Sequence, residues 1–293
     1  MSVNVTTAFV QAYSSNVMQL VQQKGSMLRQ HVRREKVSGK SGFFDQIGST
    51  AARRRTTRHG DTPRMDTPHA RRRVTLEDFD WADLIDKEDK VRLLKDPSSD
   101  YAQAAAWAMG RSMDEVLVDG AFGTAYTGET GGTAVTFPAG QQIGVAASGL
   151  TMAKLLAAKE LLDGSDVPPE RRHIAATAKQ FTNLLNATEI KSADYNTVKA
   201  LVQGQVDEFL GFKFHRLDGV RADGTKILPL DGSGDRRCLA WQMDGLLLAV
   251  GAEPAAKISE RADKNYATQV FYSMSIGATR MEEKRVVEIV CDE

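Results

Sequence analysis

Five histidines carry the chain's most obvious capacity for metal or acid–base chemistry: His31, His59, His69, His173 and His215. No two of them stand at the spacing of a local metal-ligand motif, and neither HExxH nor CxxC occurs. The sequence therefore predicts no metal centre. His59 and His69 fall in an arginine-rich stretch, where surface solvation accounts for them. The two cysteines, Cys238 and Cys291, are far apart and form neither a disulfide framework nor a zinc motif. They read as reduced thiols of a cytosolic protein. Cys238 with His215 would make a thiol–imidazole pair, but a free cysteine is most often buried packing.

The stretch Gly120-Ala-Phe-Gly-Thr-Ala-Tyr-Thr-Gly128-Glu-Thr-Gly-Gly132 has the composition of a phosphate loop. It lacks the Lys-Ser/Thr that such a loop needs, and no strand precedes it in the right place. It reads as a flexible joint. Asp231-Gly-Ser-Gly-Asp235 is a turn and not a nucleophile elbow. Carboxylate pairs such as Asp78 and Asp80 belong to a charged run, usually a solvated face. No catalytic, cofactor-binding or metal residue is expected, no cofactor is implied, and the chain does not read as an enzyme.

Charge is the feature that remains. Arg53, Arg54, Arg55, Arg58 and Arg64 form one basic group, Arg71, Arg72 and Arg73 a second, with the turn His59-Gly60-Asp61-Thr62-Pro63 between them. Glu77, Asp78, Asp80, Asp83, Asp86, Glu88 and Asp89 follow at once. From Gly39 to Asp89, roughly 50 residues carry too little apolar content for an ordinary internal loop. The stretch is either disordered or a long hairpin supported by contacts outside its own subunit, and Phe43, Phe44, Phe79 and Trp81 are its apolar anchors. The basic groups are all arginine, which suits bidentate pairing at interfaces. Three fates stay open for them: pairing with the acidic run of a neighbouring copy, contact with nucleic-acid phosphate, or plain solvation.

The elements around these charges follow from periodicity. Phe9, Tyr13, Val17, Leu20 and Val21 are spaced as the apolar stripe of an amphipathic helix that must dock on its own subunit or a neighbour. Pro97-Ser98-Ser99-Asp100 starts a helix whose apolar positions run from Ala102 through Leu117 to a stop at Asp119-Gly120, about 30 Å long. The segment Gly123 to Gly149 reads as a loop and a strand around Val135 and Phe137. Leu150 to Leu162 is a second helix, and Arg172 to Lys179 is compatible with a strand. Val198 to Val206 is ambiguous, Phe209 to Phe214 reads as a strand, and Asp218 to Gly224 as a turn. Arg237 to Ala252 is long and apolar and reads as a helix. Thr268 to Thr279 and Arg285 to Val290 are β-like runs joined by a turn at Met281 to Lys284.

Composition sets the outer bounds. The chain has 293 residues with a hydrophobic fraction of 42%, enough for two domain-sized cores or one with long excursions. Lys+Arg and Asp+Glu both total 38, a formal net charge of zero. That argues against a free nucleic-acid binder and favours association. No signal peptide and no membrane span are expected.

Several strings, in this order, carry a resemblance. Leu84-Ile-Asp-Lys-Glu-Asp-Lys-Val-Arg-Leu-Leu-Lys-Asp-Pro97 leading into Tyr101-Ala-Gln-Ala is similar to the approach to the spine helix in a podophage-like capsid family. Ser192-Ala-Asp-Tyr-Asn and Val202-Gln-Gly-Gln-Val-Asp-Glu-Phe-Leu-Gly-Phe-Lys-Phe214 resemble an axial-domain segment ending in a strand. Gly277-Ala-Thr-Arg280 followed by Val286-Val-Glu-Ile-Val is similar to that family's C-terminal strand pair. With the order arm, charged hairpin, long helix, mixed unit and returning tail, the chain resembles tailed-phage major capsid proteins of the Hong Kong 97-like fold, an α+β class.

The resemblance implies an N-terminal arm over 1–35 and an extended loop over 36–95. It implies a peripheral domain with the spine helix over 96–125 and 255–293, and an axial domain over 126–254. It implies pentamers and hexamers closing into an icosahedral shell around double-stranded DNA, assembled in a host bacterial cytoplasm. It also implies a portal protein, in some cases a decoration protein, and only weak non-specific contact with DNA. An arm that starts near Met1 implies a separate scaffolding protein. On this reading the intersubunit contacts fall on Arg53, Arg54, Arg55, Arg58, Arg71, Arg72, Arg73, Glu77, Asp78, Asp80 and Asp83, and on Phe9, Tyr13 and Leu20 of the arm. An encapsulin-like nanocompartment shell shares the fold and is the alternative; a cytosolic enzyme or nucleic-acid binder is the reading from a different class.

Overall fold

Alanine, methionine and leucine without an internal proline favour helix from Ser98 onward, and the segment forms one uninterrupted helix, α1 (Ser98–Phe122), of 25 residues. At 1.5 Å per residue it is about 37 Å long, and it ends at Phe122, just past the expected stop at Asp119-Gly120. Asp100 lies in its first turn, where a carboxylate complements the helix dipole. Its buried positions Ala105, Met109, Met113, Leu117, Val118 and Ala121 recur every three or four residues and make one apolar stripe. The computed structural model describes residues 22–58, 64–86, 98–186 and 208–293. Phe9, Tyr13 and Leu20 of the expected arm helix, His59, and the ambiguous segment 198–206 lie outside the described residues.

Strands are numbered in chain order. The stripe of α1 packs on a four-stranded sheet of order β1 (Arg33–Lys36), β12 (Leu246–Arg261), β13 (Ala267–Arg280) and β4 (Glu77–Ile85). Beside it lies a six-stranded sheet of order β7 (Gln142–Ile143), β14 (Val286–Cys291), β11 (Arg236–Gln242), β8 (Arg172–Ala176), β10 (Phe212–Arg216) and β9 (Glu208–Phe209). A third sheet joins β2 (Ser41–Ile47), β3 (His69–Thr75), β5 (Ala125–Thr127) and β6 (Thr133–Val135). Two further helices, α2 (Met152–Asp163) and α3 (Ala178–Asn186), cover the outer face of the six-stranded sheet.

That six-stranded sheet separates two cores. Strand alternation sends Ala175, Leu239, Trp241 and Val286 to the side of α1, where they meet Met109, Met113, Leu117, Leu248 and Ile276. Ile174, Ala176, Cys238, Ala240, Val287 and Ile289 face the other way, onto Leu155, Ala158, Leu162 and Leu184. Each large side chain so buried contributes about 1.5–3 kcal/mol.

Four sequence expectations are corrected. Arg237–Ala252 is not a helix: β11 ends at Gln242, a 3-10 turn at Met243–Gly245 reverses the chain, and β12 begins at Leu246. Strands buried on both faces read as continuous apolar runs, so periodicity carried no signal there. Phe209–Phe214 is two strands, β9 and β10, folded on a turn at Leu210 and Gly211 with φ of 53° and 81°. The tail runs β13 and β14 do not pair with each other but join different sheets. The acidic run is not part of the hairpin. As β4 it pairs with β13, and its anchors Phe79 and Trp81 pack on the main core of their own subunit.

Two close glycine contacts and two buried polar clusters fix α1. A Cβ on Gly120 would stand 2.8 Å from Ala278, so the helix rests directly on β13. A Cβ on Gly110 would stand 2.4 Å from the backbone of Gly25, where the N-terminal segment crosses. Beside that crossing, Asp114 is fully buried and accepts hydrogen bonds from Met27 N (2.9 Å), Leu28 N (3.0 Å), Ser26 Oγ (2.5 Å) and Gln23 Nε2 (2.5 Å). Burial raises the Asp114 pKa, and these donors oppose the rise. At the other end the buried Arg280 donates to Ala121 O at 2.6 Å, to Gly123 O, and to Val135 O at 3.1 Å. α1 has no basic residue in its last turn; Arg280 supplies from β13 the cation that a helix C-terminus favours.

Two stability outcomes follow from these contacts. Arg280→Met keeps the volume but leaves buried carbonyls unpaired, and thermal or denaturant unfolding of the purified protein should show a loss of about 3 kcal/mol. Asp114→Asn turns an NH2 group toward donors and should cost about 1–3 kcal/mol in the same measurement. Wild-type stability in either variant would show that the helix is held by apolar packing alone.

Candidate assembly surface

The hairpin of β2 and β3 is built by alternation. Phe43 pairs with Arg73, Phe44 with Arg72 and Asp45 with Arg71, so Phe43, Asp45, Ile47, Arg71 and Arg73 share the outer face. Phe44, Arg72 and Val74 face the body, where Phe44 and Val74 pack with Val37 and Ala249. Of three consecutive arginines the middle one is therefore buried. Arg72 Nε donates to Met281 O at 3.1 Å, and its guanidinium pairs with Glu283. Gln46 also donates to Met281 O, which ties the hairpin base to the turn between β13 and β14. Arg71 pairs with Asp45 at 2.6 Å, and that hydrogen bond lowers the Asp45 pKa. Arg73 lies over the Tyr126 ring, 4.9 Å from its centroid.

The structure thus splits the basic residues singled out in the sequence. Arg71, Arg72 and Arg73 meet groups of their own chain. Arg53, Arg54, Arg55 and Arg58 lie exposed in the segment 48–58 beyond β2. There Arg55 donates to Thr57 O at 3.0 Å, and among the described residues none of the four makes an ion pair. The acidic residues separate from them. Glu77, Asp78 and Asp80 are exposed on β4, an edge strand of its sheet, and Asp83 is half-buried there. Among the described residues these four carboxylates also make no ion pair; Asp83 accepts only from Leu84 N at 2.8 Å.

The N-terminal segment reaches the body alongside α1, where Arg111 donates to Gln22 Oε1 at 2.8 Å. It continues through a 3-10 turn at Arg29–His31 into β1.

The histidines behave differently from the sequence expectation. His31, His173 and His215 converge, with potential ligand nitrogens all within 4.8 Å of one another. Their separation along the chain hid this, and only the pairing register of β8 with β10 puts His173 and His215 on one face. Cys238 and His215 do not make a thiol–imidazole pair, because they point to opposite faces of the six-stranded sheet. Asp231-Gly-Ser-Gly-Asp235 is the turn it was read as, with Asp231 Oδ1 accepting from Ser233 N and Asp235 N at 2.8 and 2.9 Å.

The fold is shared with bacteriophage shells. The capsid of cyanophage P-SCSP1u matches with a TM-score of 0.74 at 16% identity, covering 98% of this chain and 94% of that one. The capsid of cyanophage Pam1 matches at 0.71 and 14% identity, covering 96% of each chain. The head of Helicobacter pylori bacteriophage KHP40 matches at 0.70 and 10% identity, covering 96% of this chain and 95% of that one. No curated protein sequence is significantly similar. The profile of one family, phage capsid protein, matches residues 5–293. A profile that spans nearly every residue, on a fold held in common with phage shells despite little residual identity, settles the assignment: the chain belongs to the phage capsid protein family and is a structural, self-associating subunit of a virion shell with the Hong Kong 97-like fold.

Proposed function

We propose that the subunit forms pentamers and hexamers of an icosahedral shell around double-stranded DNA, and that the exposed arginines beyond β2 pair with the acidic edge strand β4 of a neighbouring copy. One observation carries the pairing. The same chain exposes four arginines and a carboxylate set on separate elements, and neither set has an ionic partner among the described residues. A second copy offers each set its complement. One exposed pair is worth only about 0–1 kcal/mol, but a closed shell repeats every pair in every subunit. The hairpin and its continuation act as the extended loop, α1 as the spine helix, and α2 and α3 with β7 to β11 as the axial domain. Assembly takes place in the host bacterial cytoplasm on a separate scaffolding protein, around a portal, and in some settings with a decoration protein. Contact with packaged DNA is weak and non-specific.

Changing Arg53, Arg54, Arg55 and Arg58 together to Glu should leave a folded subunit that no longer forms capsomers on co-expression with its scaffold, read by negative-stain imaging. Adding Glu77→Lys, Asp78→Lys and Asp80→Lys should restore particles. Wild-type assembly should weaken as salt rises toward 1 M, where screening shortens to about 3 Å. Normal shells that lose only packaged DNA would instead assign the arginines to nucleic acid. Arg72 is left out because its bonds to Met281 and Glu283 support its own subunit.

The arm forms a second contact on this reading. The segment that carries it meets the body beside α1, and Phe9, Tyr13 and Leu20 dock on the spine helix or on an adjacent subunit. Replacing all three with Ser should lower particle yield more than it lowers the melting temperature of the free subunit. Unchanged yield would make the arm dispensable.

A further inference from the structure

We propose that His31, His173 and His215 form a binding site for a divalent transition-metal ion of the zinc class, one that clamps the N-terminal segment to the six-stranded sheet. Lys213, His173 and Trp241 are register partners across β10, β8 and β11, and His215 follows Lys213 by two residues, so all four point to one face. The 3-10 turn at Arg29–His31 lies over that face. His31 stands with its ring centroid 4.7 Å from His173 and 4.3 Å from His215, and its carbonyl accepts from Trp241 Nε1 at 2.9 Å. Three separate elements thus deliver one imidazole each to a single point.

The nitrogens are close to ligating geometry. His173 Nδ1 and His215 Nε2 share a hydrogen bond at 3.0 Å, whose proton a bound ion would displace through a change of tautomer, and the whole set lies within 4.8 Å. Bonds of about 2.0–2.1 Å to a tetrahedral ion require nitrogens roughly 3.3 Å apart, so ring rotations of about an ångström close the set. Burial keeps the rings in the neutral form that binds metal: it lowers His173 to about 4 and His215 to about 3, with His31 and Lys213 adding to the effect. His173 and His215 are buried and His31 is half-buried, which leaves an approach on the His31 side. Three imidazoles select zinc, cobalt, nickel or copper over magnesium and calcium, which prefer oxygen. A fourth position is left for water. Lys213 is the like charge on this face, and it opposes a bound cation.

The test uses the full-length protein, stripped with a chelator and titrated with zinc and with cobalt(II). The expected result is one ion retained per subunit after gel filtration, a visible cobalt spectrum of tetrahedral nitrogen-rich type, and a melting temperature that rises and saturates at one equivalent. His31→Ala removes one of the three ligands and should weaken zinc binding by more than the roughly 10–100-fold that loss of a mere supporting group costs at metal sites. Lys213→Met, which leaves all three ligands in place, should tighten it. Absence of retained metal in the wild type would overturn the proposal, as would equal retention by His31→Ala.

Discussion

Arg280 leaves β13 with its guanidinium wholly buried and gives its hydrogen bonds to backbone carbonyls at and beyond the end of α1. A buried guanidinium without acceptors would be costly, and helix-end carbonyls without donors equally so. Each need meets the other only if α1 ends at this point on this strand. The fit of Gly120 against Ala278 fixes the distance of approach, and the guanidinium fixes the position along the axis. Once α1 is set on β12 and β13, its stripe defines the main core, and one face of the six-stranded sheet packs against that core while α2 and α3 cover the other. The string Gly277-Ala-Thr-Arg280 therefore has a mechanical meaning. Ala278 touches the helix, Arg280 caps it, and Gly277 passes close to Thr75 O at the hairpin base.

The N-terminal segment is held by the same helix from its other side. Gly110 lets the backbone at Gly25 pass in contact, and Asp114 gathers donors from four successive parts of the segment. The segment then delivers His31 to the six-stranded sheet and Val32 to the main core. A long helix held at its middle by the N-terminal segment and at its C-terminal end by Arg280 is suited to a shell subunit, since it links the two.

The charges divide along the same line. Arginines at the base of the hairpin meet a carbonyl, two carboxylates and an aromatic ring of their own subunit, while among the described residues the arginines further out make no ion pair, and Arg55 donates only to the nearby Thr57 O. Base and outer segment thus differ in their surroundings within one basic sequence. The acidic strand β4 shows the complementary arrangement: Phe79 and Trp81 face the core, and Glu77, Asp78 and Asp80 are exposed. A chain of zero net charge that sorts its charges this way is fitted to meet its own copies.

The sequence by itself determined the long helix, the second helix, the hairpin with its charged outer part, the turn at Asp231–Asp235 and the order of pieces that marks a capsid subunit. The helices and the turn rest on local information such as capping residues, a 3.6-residue period and glycine-rich turns; composition left the charged stretch open between a hairpin and disorder, and the order of pieces marks a capsid subunit only through its resemblance to that family. Four other features were decided only by the tertiary structure. Residues 237–252 form strands because burial on both faces erases the alternation that would have marked them. The acidic run joins β13 and not the hairpin, because partner choice depends on which strands α1 brings together. Arg72 turns inward between two outward neighbours, which matters only once the hairpin has a body to face. His31, His173 and His215 meet because a 3-10 turn and two parallel strands share one sheet face, and contacts between residues so distant in sequence leave no trace in local pattern.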